Sequence, residues 1–312
     1  MSIVPTKILV ATDGSKDANL AVGVAVDLSE RTGAELHVVH AWQDLRPGAL
    51  PAMAMDEYSQ AYEQWKREAG ELLEEEAERL SSAGGTVAGA HLREGRPADE
   101  IAALAQKLEV GLVVVGSRGA GPVKRLVTGS VSEGVVNLAP CPVLVVRGGA
   151  GAWPPSTVVV GDDSSTEAKR AGELAAGIGK VFDARVLLVR VYHLQITYET
   201  ERASSIRISE VLSESVQMSS HKLLEVGDES LEKRATELES ILGRRPQVKV
   251  AVGDPVALIQ EVAEEAEEPT LVAAGSRGLG SIRRFTLGST STALLRTASG
   301  PVLIVPPFVN AL

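Results

Sequence analysis

Apolar positions follow two rhythms along this chain. Short continuous runs of Val, Ile and Leu alternate with longer stretches in which apolar residues recur every three or four positions. The first rhythm belongs to strands buried on both faces, the second to amphipathic helices. Lys7–Ala11 reads as a buried strand feeding the turn Asp13-Gly14-Ser15, and Asp17–Thr32 as a helix that stops at Gly33. Glu35–Ala41 predicts a second strand. After a loop with two prolines, Asp56–Ser82 predicts a long Glu-rich helix, with 71–79 expected to be a solvated face. The pattern then predicts a strand at Thr86–Glu94, a helix at Pro97–Lys107, a strand at Gly111–Val115, a helix at Ser130–Leu138 and a strand at Pro142–Val146.

The same order returns in the second half. Strands are predicted at 157–161, 184–191, 247–252, 270–274 and 301–305. Helices are predicted at 166–179, within 205–242, at 255–264 and at 289–297. The letters repeat as well as the pattern. Residues 111–130 and 270–289 share ten of twenty positions without a gap, at an offset of 159. Pro142-Val143-Leu144 matches Pro301-Val302-Leu303 at that offset, and Gly95-Arg96-Pro97 matches Gly253-Asp254-Pro255 at 158. ILVATDGS at 8–15 pairs with VVVGDDS at 158–164, read at an offset of 149. A period this long exceeds any solenoid repeat and marks duplication of a whole domain. The expected organisation is one domain at 1–147, a Gly- and Pro-rich linker at 148–156 and a second domain at 157–312.

Strands too apolar to be half-exposed, alternating with helices, imply a parallel sheet covered on both faces. Right-handed crossovers then distribute the helices over the two faces. One five-stranded parallel sheet per domain is expected. Ligands of such sheets sit beyond the strand C-termini, where the strand order reverses. That end carries Asp13, Ala41 and the loop from Gly116 in the first half, and Asp162, Val191 and the loop from Gly275 in the second.

Composition narrows the function. Lys plus Arg is 31 and Asp plus Glu is 41, a formal net charge of −10. An acidic surface argues against broad binding to nucleic acid or anionic membrane. One cysteine, Cys141, excludes an internal disulfide and a cysteine-rich metal site, and is expected to be a small buried hydrophobe. The start MSIVPTKILVATDGS lacks the pattern of a signal peptide, and no apolar run approaches the ~20 residues that span a bilayer. A cytoplasmic protein is expected.

Against this acidic background stand two basic glycine loops of the form G-x2-G-x9-G-S. They carry Gly116, Gly119, Gly129 and Ser130, then Gly275, Gly278, Gly288 and Ser289. Residues 116–130 hold Arg118, Lys124 and Arg125 and no acid; residues 275–289 hold Arg277, Arg283 and Arg284 and no acid. Glycine lets a backbone approach a ligand with no Cβ in the way. Each loop ends where a helix begins, and helix N-termini offer free N–H groups and partial positive charge to phosphate oxygens. Ser130, Ser132, Ser289 and Ser291 add hydroxyls in the first turn. A tight strand-to-helix turn uses the same glycines, and that reading stays open. An Asp after a strand is most often a helix N-cap, but Asp13 and Asp162 face the same switch point as the glycine loops, where a carboxylate accepts from ribose hydroxyls or a base amine. The loops are neither a Walker loop nor a G-x-G-x-x-G fingerprint.

Taken together, VATDGS with GSRGAGPVKRLVTGSVSE and PCPVLVV, then VVGDDSS with GSRGLGSIRRFTLGSTST and GPVLIVP, resemble the universal stress protein family. The resemblance is to its tandem, ATP-binding form and covers nearly the whole chain. It implies two Rossmann-like domains of the adenine nucleotide alpha hydrolase-like type. It implies that Asp13 contacts adenosine, that the backbone of Ala41 lies against adenine and that Val115 and Gly116 flank the ribose. Gly119, Gly129, Ser130, Val131 and Ser132 would hold the phosphates of ATP, with or without Mg2+. In the second domain these roles fall to Asp162, Val191, Ala274, Gly275, Gly278, Gly288, Ser289, Thr290 and Ser291. The pair Asp162-Asp163 leaves open which carboxylate meets ligand. The family also pairs its last strands across a pseudo-twofold axis. Val143–Val146 and Val302–Val305 either pair within one chain or make a homodimer through these C-terminal strands.

The implied function is ATP-dependent regulation of an unidentified protein partner in a stress response. The alternatives are a slow ATPase or phosphotransferase, and an interaction scaffold with empty sites. Phosphoryl transfer needs a positioned nucleophile and usually a bridging metal. No convincing general base stands out. His91 reads as a surface or capping residue. His37 and His40 lie three apart on a strand and so face opposite sides. No enzyme, no catalytic residue and no metal site is expected.

Overall fold

A computed structural model describes residues 4–43, 55–82, 84–118, 129–148, 151–192, 229–266, 269–276 and 287–307. Ten strands are seen among them. The first domain holds β1 (Lys7–Ala11), β2 (Glu35–Trp42), β3 (Val87–Glu94), β4 (Leu112–Gly116) and β5 (Val143–Val146). The second holds β6 (Thr157–Gly161), β7 (Arg185–Tyr192), β8 (Gln247–Val252), β9 (Thr270–Gly275) and β10 (Val302–Val305). The helices are α1 (Lys16–Thr32), α2 (Met55–Ser82), α3 (Pro97–Leu108), α4 (Ser130–Leu138), α5 (Thr166–Val181), α6 (Glu229–Leu242), α7 (Pro255–Glu265) and α8 (Ser289–Thr297). Most ends agree with the sequence pattern to within a residue or two. The expected helical region within 205–242 is described only as α6, and the rest of it lies outside the described residues.

Every strand pairing is parallel except one. The order is β3-β2-β1-β4-β5-β10-β9-β6-β7-β8, a single ten-stranded sheet. The five-stranded parallel sheet expected of each domain is present, and the two join where β5 and β10 pair antiparallel within the chain through Val302↔Val145, Leu303↔Leu144 and Ile304↔Val143. Both strands are buried along their whole length. An apolar edge of this kind leaves unpaired N–H and C=O groups, and each strand covers the other's. With β5 flanked by β4 and β10, and β10 by β9 and β5, neither has an edge left for a second chain. Of the two pairings expected for these strands, the one within the chain is the one seen.

The sheet separates two apolar layers. Val22, Leu28, Leu73, Leu174 and Leu231 of α1, α2, α5 and α6 pack on one face against Ile8, Val10, Val158 and Val160. Ile101, Val135, Ile259 and Leu294 of α3, α4, α7 and α8 pack on the other against Leu9, Val113, Val159 and Val272. Successive residues of a strand thus enter opposite cores, which is why the strands read as unbroken apolar runs. With so few aromatics the core is aliphatic. Cys141 is buried at 8% exposure, and burial pushes its thiol up to about 12, so it is an inert hydrophobe as expected. The glutamates of the 71–79 stretch of α2 face solvent except Glu76, which is buried at 8% exposure and pairs with Arg79 at 2.5 Å.

Part of the linker is packed between the domains. The Trp153 Nε1–H donates to Asp27 Oδ2 of α1 at 2.9 Å. Its ring meets Phe182, at the end of α5, edge-on with centroids 5.0 Å apart. Arg31 lies over the same Phe182 ring at 4.9 Å and pairs with Asp27 at 2.7 Å. First domain, linker and second domain meet in one cluster.

Candidate functional site

Strand order reverses between β1 and β4, and again between β6 and β9, so the crevices open at their C-terminal ends. Both turns after the first strand are built alike. Ser15 and Ser165 cap α1 and α5, accepting from the N–H of Ala18 at 3.3 Å and of Ala168 at 3.1 Å. Ser15 N–H donates to Asp13 Oδ1 at 3.1 Å, and Ser165 N–H to Asp163 Oδ1 at 3.0 Å. Gly14 has φ +72 and Ser164 φ +71. Thr12 N–H donates to Val39 O, and Asp162 N–H to Val189 O, both at 2.9 Å.

These bonds set the equivalence of the two halves at an offset of 150, not 149. Asp163 is the counterpart of Asp13, and Asp162 is the counterpart of Thr12. Asp162 is accordingly corrected as a ligand residue. Its side chain is fully buried, with Oδ1 paired to Arg190 at 2.5 Å and Oδ2 to Arg234 at 3.2 Å. Oδ1 also accepts the Ser164 N–H at 2.8 Å, and the carbonyl of Asp162 accepts from Arg190 Nε at 3.2 Å. The 4% of the residue that remains exposed is main chain. In the first domain His40 replaces Arg190, and its Nδ1 meets the Thr12 carbonyl at 2.8 Å. Asp163 is exposed at the mouth of the crevice.

In the second domain a cavity of about 480 Å³ lies over these strand ends. That is an ordinary size for a small-molecule site. Val189, Val191, Ile259, Ala274 and Pro255 form its apolar walls, and Asp163, Ser289 and Thr290 bring polar groups to it. Of the residues expected for this domain, Val191, Ala274, Gly275, Gly288, Ser289, Thr290 and Ser291 all line it, as does the main chain of Asp162. Gly278, like Gly119 of the first domain, lies outside the described residues. Pro255 and Ile259 of α7 and Leu287 of the loop were not anticipated, because nothing local marks a residue as facing a neighbouring strand end.

The glycines divide their work. A Cβ on Gly116 would stand 2.6 Å from Asp17 C, and one on Gly275 2.7 Å from the Ala168 amide nitrogen. The close approach at these two positions is that of a helix N-terminus, so packing alone requires glycine there. Gly129 and Gly288 close the bases of the loops: their N–H groups donate to Ser117 O at 2.8 Å and Ser276 O at 2.7 Å. Both are N-caps with extended backbone, and the first N–H groups of α4 and α8 have no side-chain cap bond from them. Ser132 and Ser291 are buried, and their hydroxyls already donate, Ser132 to Ser117 O at 3.0 Å or Gly129 O at 2.9 Å and Ser291 to Gly275 O at 2.6 Å. They brace the loop. Ser130 and Ser289 are exposed and available, and Val131 stands 38% exposed beside Ser130.

Charge near the first loop is partly neutralised. Asp17 Oδ2 accepts from the Ser117 hydroxyl at 2.7 Å and pairs with Arg118 at 3.4 Å, while the Ser15 hydroxyl donates to Arg118 O at 3.2 Å. Arg118 thus ties the loop to α1. Lys124, Arg125, Arg277, Arg283 and Arg284 lie outside the described residues. Ala41 is the last residue but one of β2, beside the first crevice, and Val115 is a buried core residue.

His91 is not a lone histidine. Its Nε2 lies 3.2 Å from His37 Nδ1, with ring centroids 5.3 Å apart. Gly89 makes the space, since a Cβ there would stand 2.9 Å from both nitrogens. Burial lowers both imidazoles from the usual value; at His37 the Glu35 carboxylate opposes the fall and Lys7 adds to it, and at His91 the partner ring, Arg93 and Lys107 add to it. A lowered folded value means the unfolded chain takes up protons first. The stability held by the neutral pair is present above about pH 6.5 and lost as pH falls through the lowered values. Thermal melts between about pH 8 and pH 5 should fall on the acid side, and His91→Gln should flatten that fall. An unchanged slope in His91→Gln would place the acid sensitivity elsewhere.

A family model described as the universal stress protein family matches residues 5–147 and again residues 155–306. A universal stress protein of Thermus aquaticus is 39% identical over 140 residues, covering 45% of this chain and 97% of its own length. Universal stress protein YxiE of Bacillus subtilis strain 168 is 36% identical over 149 residues, covering 45% of this chain and 98% of its own. The crystal structure of a universal stress protein from Archaeoglobus fulgidus DSM 4304 covers 98% of this chain and 97% of its own, with TM-score 0.63 and 24% identity. At that identity the likeness concerns the fold alone. No helix among the described residues is long and apolar enough to cross a membrane.

Proposed function

The chain belongs to the universal stress protein family, and from that premise we propose that each domain binds ATP, with or without Mg2+, as a regulatory ligand in a stress response. One observation carries the reading. A cavity of about 480 Å³ is lined by an exposed acid, Asp163, by the first turn of α8 and by apolar side chains. A nucleoside triphosphate has these same needs: an acceptor for ribose or base, an apolar slot for the base and N–H donors for phosphate. In the first domain Asp13, Ala41, Gly129 and Ser130 stand in the corresponding places.

Regulation is favoured over turnover. The carboxylate at each crevice is bonded to the amide two residues on, which suits a fixed acceptor better than a proton-transferring base. Occupancy would change the loops between residues 116 and 130 and between 275 and 289, and with them the surface offered to a protein partner. Calorimetry with ATP and Mg2+ should give two sites per chain, and Gly129→Glu should reduce this to one. No heat from either site, or unchanged stoichiometry in Gly129→Glu, would refute the reading. A single-turnover assay should give a rate below ~1 s⁻¹, the low end for enzymes; a faster rate would make the protein an ATPase.

A further inference from the structure

We propose that Arg147, a residue of the first domain, is a positioning residue for the crevice of the second. The proposal rests on the nucleotide-binding reading above. Arg147 follows β5 and is buried at 8% exposure. Its Nη1 donates to Ala298 O at 3.0 Å and its Nη2 to Leu295 O. These carbonyls stand at the C-terminal end of α8, where a cation is favoured. Burial lowers the guanidinium to about 10, Arg118 adds to the fall and Asp17 opposes it, so Arg147 stays charged at neutral pH.

The first domain holds the other end of α8 too. Asn137 Oδ1, in the last turn of α4, accepts the N–H of Leu287 at 3.3 Å, directly before the N-cap Gly288. Glu133 of α4 pairs with Arg296 at 2.9 Å. Leu287, Gly288, Ser289, Thr290 and Ser291 all line the cavity. A helix of nine residues is about 13 Å long and moves as a rod, so a release at its C-terminus displaces its first turn.

The hold is one-sided. Gly116 pairs with Val146 as Gly275 pairs with Val305, which makes Pro306 the counterpart of Arg147. Ser117 N–H to Val146 O and Ser276 N–H to Val305 O, both at 2.8 Å, give the same register. Proline has neither charge nor donor, so that position in the second domain returns no such grip on α4. A merely structural arginine would disturb both crevices; a positioning one disturbs the second.

The test uses the full chain and ATP with Mg2+. Gly129→Glu leaves the second crevice to be titrated, and Gly288→Glu leaves the first. Arg147→Met should weaken the second by about tenfold, within the usual range for coupled sites, and leave the first within about twofold. Arg147→Lys should restore part of the loss. Equal weakening at both crevices, or none at either, overturns the proposal. Should Arg147→Met not fold, Asn137→Ala takes its place, and unchanged binding at the second crevice then overturns it. Amide exchange at 288–291 in the ligand-free protein separates this from failure of the nucleotide reading. Faster exchange in the variant supports the positioning role even if ATP does not bind, and unchanged exchange overturns it.

Discussion

Asp162→Asn lowers the stability of the protein by about 3 kcal/mol, the low end for breaking a buried ion pair. The asparagine keeps the shape but removes the charge that Arg190 and Arg234 share. Arg190 and Arg234 have side-chain exposures of 5% and 13%, so little water is at hand to replace it. At about 2–4 °C per kcal/mol, the melting temperature falls by about 10 °C. Asp163→Asn behaves in the opposite way. Asp163 is exposed and its described bond is the local one to Ser165, so stability changes by about 1 kcal/mol or less, as for loss of a capping bond. On the nucleotide-binding proposal, it is ATP binding at the second crevice that weakens instead. Melting and calorimetry on the two variants decide the assignment: a large stability loss in Asp163→Asn, or a silent Asp162→Asn, reverses it.

Gly116→Val costs about 3 kcal/mol, the upper end for overpacking, because backbone cannot yield as a side chain can. The new Cβ would stand 2.6 Å from Asp17 C and 2.7 Å from the Ala18 nitrogen. The first turn of α1 must move away, and the bonds joining Ser15, Asp17, Ser117 and Arg118 are lost with it. Gly23→Ala, in the same helix, supplies the contrast. Nothing lies within 4 Å of its new methyl, and removing a helix-interior glycine gains about 0.5–1 kcal/mol. Urea denaturation of both variants checks the pair. A mild Gly116→Val would mean that the glycine serves ligand approach, as the loop pattern had implied, and not helix packing.

Much of this was legible beforehand. Lys7–Ala11 and Thr157–Gly161 announce themselves as strands buried on both faces because five apolar-rich residues in a row have no other use. The two glycine loops were recognisable because their glycines and final serine recur at the same spacing, with basic residues inside an acidic chain. The misplacement of Asp162 arose at one residue of register. Matching DGS to DDS aligned the wrong acids, whereas aligning the caps Ser15 and Ser165 with Ala18 and Ala168 would have shown Asp163 opposite Asp13. His91 looked solitary because its partner lies 54 residues away on a neighbouring strand. The hydroxyls of Ser132 and Ser291 looked free because a sequence shows donors but not the carbonyls already in front of them.

By itself, then, the chain determined its duplication, its α/β alternation and the end of the sheet where polar groups gather. These follow from periodicity and local turn chemistry, which act over a few residues. The tertiary structure alone decided that two sheets become one through β5 and β10, that Asp162 is spent between two arginines, and that Arg147 reaches from one domain to the helix of the other. Each of those depends on which distant groups share a buried volume. Burial converts an ordinary carboxylate or guanidinium into an obligate partner, and no local pattern states with whom.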